Sequence, residues 1–251
     1  MKRQVLAAGL ALGLTAGSAG CSTAKPEVLP TCTSGAVALS LEQAANAATI
    51  AAVGKRLGMP NHAVTVALAT ALQESKLRNL HYGDRDSLGL FQQRPSQGWG
   101  TAAQVQDPVY AATAFYAHLR RVPGWRTLPV TVAAQKVQHS AAPDAYAQWE
   151  DASRQLASAL TGELTAGFAC QFSTAPRPAG GVQVQQRATA ELGPGGLSRT
   201  RTPAQTWTTT SWLVAQASTY GISTVSVSGY TWNAKRGTWR PDPKATALAY
   251  S

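Results

Sequence analysis

Acidic residues are scarce in this chain. Its 251 residues carry 12 Asp and Glu against 22 Lys and Arg, a formal net charge of +10. Histidine is scarcer still. The four, His62, His81, His118 and His139, are widely spaced, and no Cys-x-x-Cys or His-Glu-x-x-His pattern occurs. Zinc sites of the usual kind lack their ligands, so no metal and no cofactor is expected. Beyond Cys170 there is neither histidine nor cysteine, and the only acids are Glu191 and Asp242. Metallopeptidase chemistry is thereby excluded from that part of the chain, and Cys170 has no following histidine to activate it. Long apolar runs are also missing. The best candidate, Val5 to Ala19, is shorter and more glycine-rich than the roughly 18 apolar residues of a membrane-spanning helix.

What that segment does contain, behind Met1-Lys2-Arg3, is the basic n-region and short apolar h-region of a secretory signal. Ser18-Ala19-Gly20-Cys21 is similar to a bacterial lipobox, with Ser18 where leucine is usual. The resemblance implies cleavage before Cys21 and lipidation of that cysteine; the alternative is a plain cleaved signal. The protein is therefore expected to be exported to the cell envelope, as a membrane-anchored lipoprotein or in the wall or medium. Its only membrane contact would be an N-terminal lipid. Cys32 and Cys170 then remain, an even pair in an oxidising compartment, and a disulfide between them is expected, with two free thiols as the alternative.

The charge is unevenly placed. Residues 33–170 hold 11 Lys and Arg and 9 Asp and Glu, a net +2, whereas residues 171–251 hold 8 and 2, a net +6. For an exported chain, a basic C-terminal region suits anionic wall polymers or lipid headgroups, and the export signal argues against nucleic acid. Solubility alone is the plainer reading.

Secondary-structure signals divide the chain into a signal (1–21), a Pro-containing tether (22–36), a helical domain (37–170), a Pro/Gly/Thr-rich linker (171–204) and a small α+β module (205–251). Ser40-Leu41-Glu42-Gln43 is a capping box that opens a helix to about Leu57. Asn61 caps a second helix, His62 to about Leu77, a third begins at Asp107-Pro108, another follows Pro129, and one runs from Pro143 to near Gly162. Strand-like alternation is nearly absent before residue 170. In the module, a helix is expected over Trp207–Tyr220, a strand over Ile222–Val227 and paired strands between Tyr230 and Trp239. The module is expected to be dispensable for chemistry and to retain the protein on a surface.

Glu74 is the only acid between Glu42 and Asp84. It shares one helix face with Ala63, Ala67 and Ala71, and a lone carboxylate in such a setting is costly unless paired or used. Pairing with Arg78 at i+4 is the structural alternative. Glu74-Ser75, followed by Gly89-Leu90-Phe91-Gln92 and then the Asp107-Pro108 helix, resembles in order and spacing the signature of soluble lytic transglycosylases and goose-type lysozymes. The resemblance runs from about Val64 to Trp149. The last 35 or so residues of the chain faintly resemble the end of a zinc-less, hedgehog-like peptidase module of actinobacterial wall proteins.

The first resemblance implies a mainly α, lysozyme-like domain that cleaves MurNAc-GlcNAc β-1,4 bonds of peptidoglycan. Glu74 would be the acid/base, with Ser75, Gln92 and Gln93 at the glycan strand. The family's third motif, Ala-Tyr-Asn, falls within Ala133–Gln138, where its tyrosine is absent and Gln138 stands for the asparagine. Tyr82, Tyr116 or Tyr146 would have to supply the phenol that touches the acid, and Tyr146 fits best by position. Protonating a glycosidic oxygen near neutral pH requires a poorly solvated carboxyl group, which a small-residue helix face under an aromatic loop supplies. A hydrolase needs a second carboxylate about 5–9 Å away, for which Asp84 and Asp86 are the candidates. A transglycosylase does without one, because the substrate's own C6 hydroxyl attacks. The altered third motif leaves open a rival of another class, a non-catalytic wall-binding lipoprotein that keeps the groove.

Overall fold

The computed structural model describes residues 29–173, 181–197 and 201–251; the signal segment and Cys21 lie outside them. The described chain is mainly α, with eight helices and two small sheets. No helix among the described residues is long and apolar enough to cross a membrane.

Two helices form the centre. Helix α1 (Leu41–Arg56) begins at the Ser40 capping box, and α2 (Asn61–Ser75) follows after a short turn. In α2 every residue from Ala63 to Leu72 is buried, so this helix has no polar face until its last turn. Its neighbours explain that. Helices α4 (Pro108–Arg121), α5 (Val130–Gln138) and α6 (Glu150–Leu160) surround it, and α1 covers the remaining side. A helix apolar all round belongs in a core, and its alanines let neighbouring backbones approach closely. The short α3 (Ala102–Val105) leads into α4, whose start is fixed by Asp107 accepting from Val109 N, with Pro108 at the first helical position.

Three expectations need correction. Residues 31–39, taken as tether and domain entry, contain strands β1 (Thr31–Ser34) and β2 (Val37–Leu39), and β1 also pairs with β3 (Ala169–Gln171). Strands of three or four residues are too short to show alternation. Cys32 and Cys170 lie directly opposite each other in that pairing and form the disulfide, with Cα atoms 3.9 Å apart. The bridge closes a 138-residue separation, worth about 5 kcal/mol in the chain-entropy account.

The second correction concerns residues 171–204, read as linker. Gly181–Leu192 is a helix, α7, that buries Val184, Ala188, Glu191 and Leu192 against α1. Its Gln-rich sequence gives a weak apolar stripe, and flanking glycines and prolines masked it.

The third concerns the C-terminal module. Its helix α8 (Pro203–Tyr220) lies along α1 and α6, and Trp212, Leu213, Val214 and Ala217 join the same core as α2. Ser211 Oγ donates to Ala159 O at 3.0 Å. Strands β4 (Thr224–Val227), β5 (Tyr230–Asn233), β6 (Thr238–Pro241) and β7 (Ala249–Tyr250) form an antiparallel sheet in the order β6-β5-β4-β7. That sheet is stitched to the first: Trp232 Nε1 donates to Cys170 O (3.0 Å) and Trp239 Nε1 to Phe168 O (2.8 Å). The C-terminal quarter is therefore part of one core and not an appendage.

Candidate functional site around Glu74

Helix α2 is buried from Ala63 to Leu72 and surfaces again at its C-terminal turn, where Glu74 is its penultimate residue. The chain then reverses through Lys76 and Leu77, both left-handed at φ 55° and 61°. Such backbone is uncommon outside glycine and persists only where neighbours hold it. Two side chains of α1 do so: Gln43 Nε2 donates to Lys76 O and Asn46 Nδ2 to Leu77 O, each at 2.8 Å. These holding residues were not legible as site residues, because they lie some 30 positions upstream in an ordinary helix.

The loop that carries Gly89-Leu90-Phe91-Gln92 is pinned beside Glu74 from below. Leu88 and Gln93 bond backbone to backbone in both directions, closing a tight turn. Gly89, at φ +76°, sits so near Val105 O that an added Cβ would stand 2.3 Å away, so only glycine fits. Leu90 and Phe91 are buried, and Phe91 stacks on Phe115 with centroids 4.7 Å apart. Ser75 Oγ lies 2.7 Å from Leu90 O and 3.0 Å from Ala71 O, donating toward both. Gln93 Nε2 donates to Ala111 O at 3.1 Å.

Two donors reach the same oxygen of Glu74. The Tyr146 hydroxyl donates to Oε1 at 2.7 Å, and Gln138 Nε2 donates to it at 3.2 Å while also donating to Phe91 O at 2.8 Å. No described residue donates to Oε2. Gln138 ends α5, and Tyr146 precedes the 3-10 turn Ala147–Trp149. Burial, reinforced by the Glu74 carboxylate, pushes the Tyr146 phenol well above its ordinary range. It therefore keeps its proton and acts only as a donor to that carboxylate.

The structure brings together Glu74, Ser75, Gln138 and Tyr146, and it sorts the residues expected at a ligand into two kinds. Ser75 and Tyr146 are buried and hold the site instead of facing the groove, whereas Gln93, also buried, reaches the cavity wall. Gln92 and Gln138 are partly exposed and line a cavity of about 380 Å³ together with Arg94, Trp99 and His118. The Gln92 amide nitrogen is shared between Tyr82 O and Gly89 O, 3.3 Å from each. Tyr116 is spent inside the core on Ile50 O at 2.9 Å, and Tyr82 is 72% exposed. The phenol at the acid is Tyr146. Arg78 is exposed and makes no ion pair with Glu74.

Neither candidate second carboxylate touches Glu74. Asp84 has a side chain 93% exposed. Asp86 accepts from Arg94 Nε at 2.8 Å and from Ser96 N at 2.7 Å, and these bonds, the Ser96 one foremost, hold its carboxyl far below the usual range. It fastens the loop.

No protein-family model and no curated protein matches this chain.

Aromatic side chains frame the acid on both flanks. Trp149 Nε1 donates to Gln73 Oε1 at 2.7 Å, and Lys76 Nζ lies 4.2 Å above the Trp149 ring. On the other flank the Trp99 and His118 rings stack 4.0 Å apart. Trp125, by contrast, is buried, and His81 is a solvated loop residue. A larger cavity of about 540 Å³ lies between α1, α7 and α8. The acid on its wall, Glu163, accepts from Asn61, and nothing there resembles an activated group. Among the described residues no group of three or more His, Cys, Asp or Glu is placed to hold a metal ion.

Proposed function

We propose that this protein is an exported, lysozyme-like muramidase that cleaves MurNAc-GlcNAc β-1,4 bonds of peptidoglycan, as a lytic transglycosylase with Glu74 as acid and then base. The observation that carries the reading is the asymmetric hold on the Glu74 carboxylate. Tyr146 and Gln138, 72 and 64 residues away in sequence, both take Oε1. No described residue donates to Oε2, and Gln138, which donates to Oε1, also lines the cavity walled by Trp99 and His118; a carboxyl oxygen with no partner is what proton transfer to a glycan oxygen requires.

The steps follow from that geometry. Protonated at Oε2, Glu74 gives its proton to the glycosidic oxygen as the bond to the muramic anomeric carbon breaks. The carboxylate so formed is held by the two donors on Oε1. It then takes the proton of the muramic C6 hydroxyl as that oxygen bonds to the anomeric carbon, giving a 1,6-anhydro sugar and restoring the acid. No water enters and no second carboxylate is needed. The exposure of Asp84 and the engagement of Asp86 with Arg94 and Ser96 favour this route over hydrolysis.

The test is digestion of purified peptidoglycan with mass analysis of the products. Wild-type protein should release anhydro-muropeptides, and Glu74→Gln should reduce the rate by about 10² to 10⁴-fold while the protein stays folded. Reducing ends in place of anhydro ends would replace the transglycosylase by a lysozyme. A wild-type protein that yields neither product would leave a wall-binding protein that keeps the groove.

A further inference from the structure

The cavity lined by Gln138, Trp99 and His118 has a neighbour. His118, Val137 and His139 also line an adjoining cavity of about 360 Å³ whose other walls include Arg121 and Lys136. The two cavities share these three residues as a wall, and neither has an aspartate or glutamate among its lining residues. This is the reverse of the Arg94 end, where Asp86 neutralises the guanidinium.

The cations come from two helix ends. Arg121 closes α4, Lys136 lies in the last turn of α5, and His139 caps α5 in the left-handed conformation at φ 51°. Positive side chains at helix C-termini stabilise the free carbonyls, which accounts for either cluster alone. It does not account for both converging on one concave surface. Arg121 and Lys136 are exposed, and neither forms an ion pair with a described residue. Lys136 and His139 belong to the same turn of α5 as Gln138, whose amide bonds Glu74, so the helix that holds the acid also carries part of the basic shelf.

We propose that this shelf binds the free carboxylates of the stem peptide on the same glycan strand that Glu74 engages. The inference rests on the muramidase reading for the identity of the strand. A stem hangs from the muramic unit next to the scissile bond, and it carries carboxylates where the glycan is neutral. A short concave pocket that shares a wall with the groove suits such a side branch. A long phosphate polymer calls for an extended stripe. Arg121 supplies a planar fork for a carboxylate and Lys136 a mobile point charge.

The test uses Glu74→Gln protein, so that binding is read without turnover. Titration calorimetry compares a disaccharide-peptide with free carboxylates, the same compound with its carboxylates amidated, and the bare disaccharide. The free acid should bind about tenfold more tightly than the amidated form, the gain expected of one or two partly exposed charge pairs. Adding Arg121→Gln and Lys136→Gln should bring that ratio to within about twofold, whereas Arg121→Lys with Lys136→Arg should retain most of it.

Equal affinity for the free and amidated compounds overturns the inference, as does a ratio that survives the double Gln substitution. Displacement of the free acid by a soluble glycerol-phosphate polymer at lower concentration than by free stem peptide would assign the shelf to phosphate and also overturn it. If no muropeptide binds, the muramidase reading falls with it. Discrimination in binding without cleavage by wild-type protein would remove only the enzyme reading.

Discussion

Glu74 and Glu191 occupy matching positions in different parts of the molecule. Each is the penultimate residue of its helix, α2 or α7, and each accepts a hydrogen bond from an aromatic side chain. A carboxylate there meets the negative end of the helix dipole, so both need compensating donors. The compensation differs. Glu74 takes both donors on one oxygen, and no described residue donates to the other. Glu191 is 0% exposed; one oxygen accepts from Trp212 Nε1 at 2.6 Å and the other pairs with Arg187. Burial raises its carboxyl above the ordinary value of 4.5, with Arg187 opposing that rise. A carboxylate closed on both sides ties elements together; one closed on a single side keeps an oxygen free. The same residue type at the same helix position is thus structural in one region and a candidate acid in the other.

The largest effect expected from breaking this comparison is truncation after Phe172. Removing α7, α8 and the second sheet strips a face of α1 and leaves Cys170 O and Phe168 O without their tryptophan donors. Such a protein should lose cooperative unfolding altogether, measured by the far-ultraviolet thermal transition. A sharp transition near that of the full chain would restore the separable module expected from sequence.

Glu191→Ala comes next. It should cost about 3 kcal/mol, because it leaves Arg187 and the Trp212 N–H unpaired around a small cavity. Denaturant unfolding measures it. Glu191→Gln separates charge from shape. With its folded value raised above 4.5, Glu191 contributes stability that is fully present below that pH and is lost as pH rises through the folded value. The stability of wild type relative to Glu191→Gln should therefore fall as pH rises from 4.5 upward. An increase over that range would show that the Arg187 pair outweighs burial.

The smallest effect on stability belongs to the open site. Tyr146→Phe removes one hydrogen bond to a half-buried carboxylate and should cost about 1 kcal/mol. Its effect on glycan cleavage should be larger in proportion, about tenfold or more, if the hydroxyl supports the carboxylate formed during proton transfer. Paired stability and rate measurements on this one variant sharpen the contrast. A rate loss no greater than that of a buried tyrosine far from the groove, such as Tyr116→Phe, would make Tyr146 a packing residue only.

Local chemistry made much of the helical frame readable. The Ser40 capping box and the Asp107-Pro108 start sit where the sequence puts them, because caps act within four residues; Asn61, read as a cap, is instead the first residue of α2, after Pro60. The order of Glu74, Gly89–Gln92 and Asp107-Pro108 likewise marked the neighbourhood of the candidate site, and the two cysteines that follow Cys21 marked the disulfide. What sequence could not reveal depends on contacts across long separations. The short strands β1 and β3 exist because Cys32 and Cys170 meet, and α7 is a helix because its narrow stripe is covered by α1. Only tertiary structure decided that Tyr146, not Tyr82 or Tyr116, reaches the acid. It also decided that Ser75 and Gln93 are spent on backbone carbonyls, and that one glutamate is sealed while the other is open. Spacing along a chain sets which residues share a helix face, but burial and partner choice are set by whatever packs against that face.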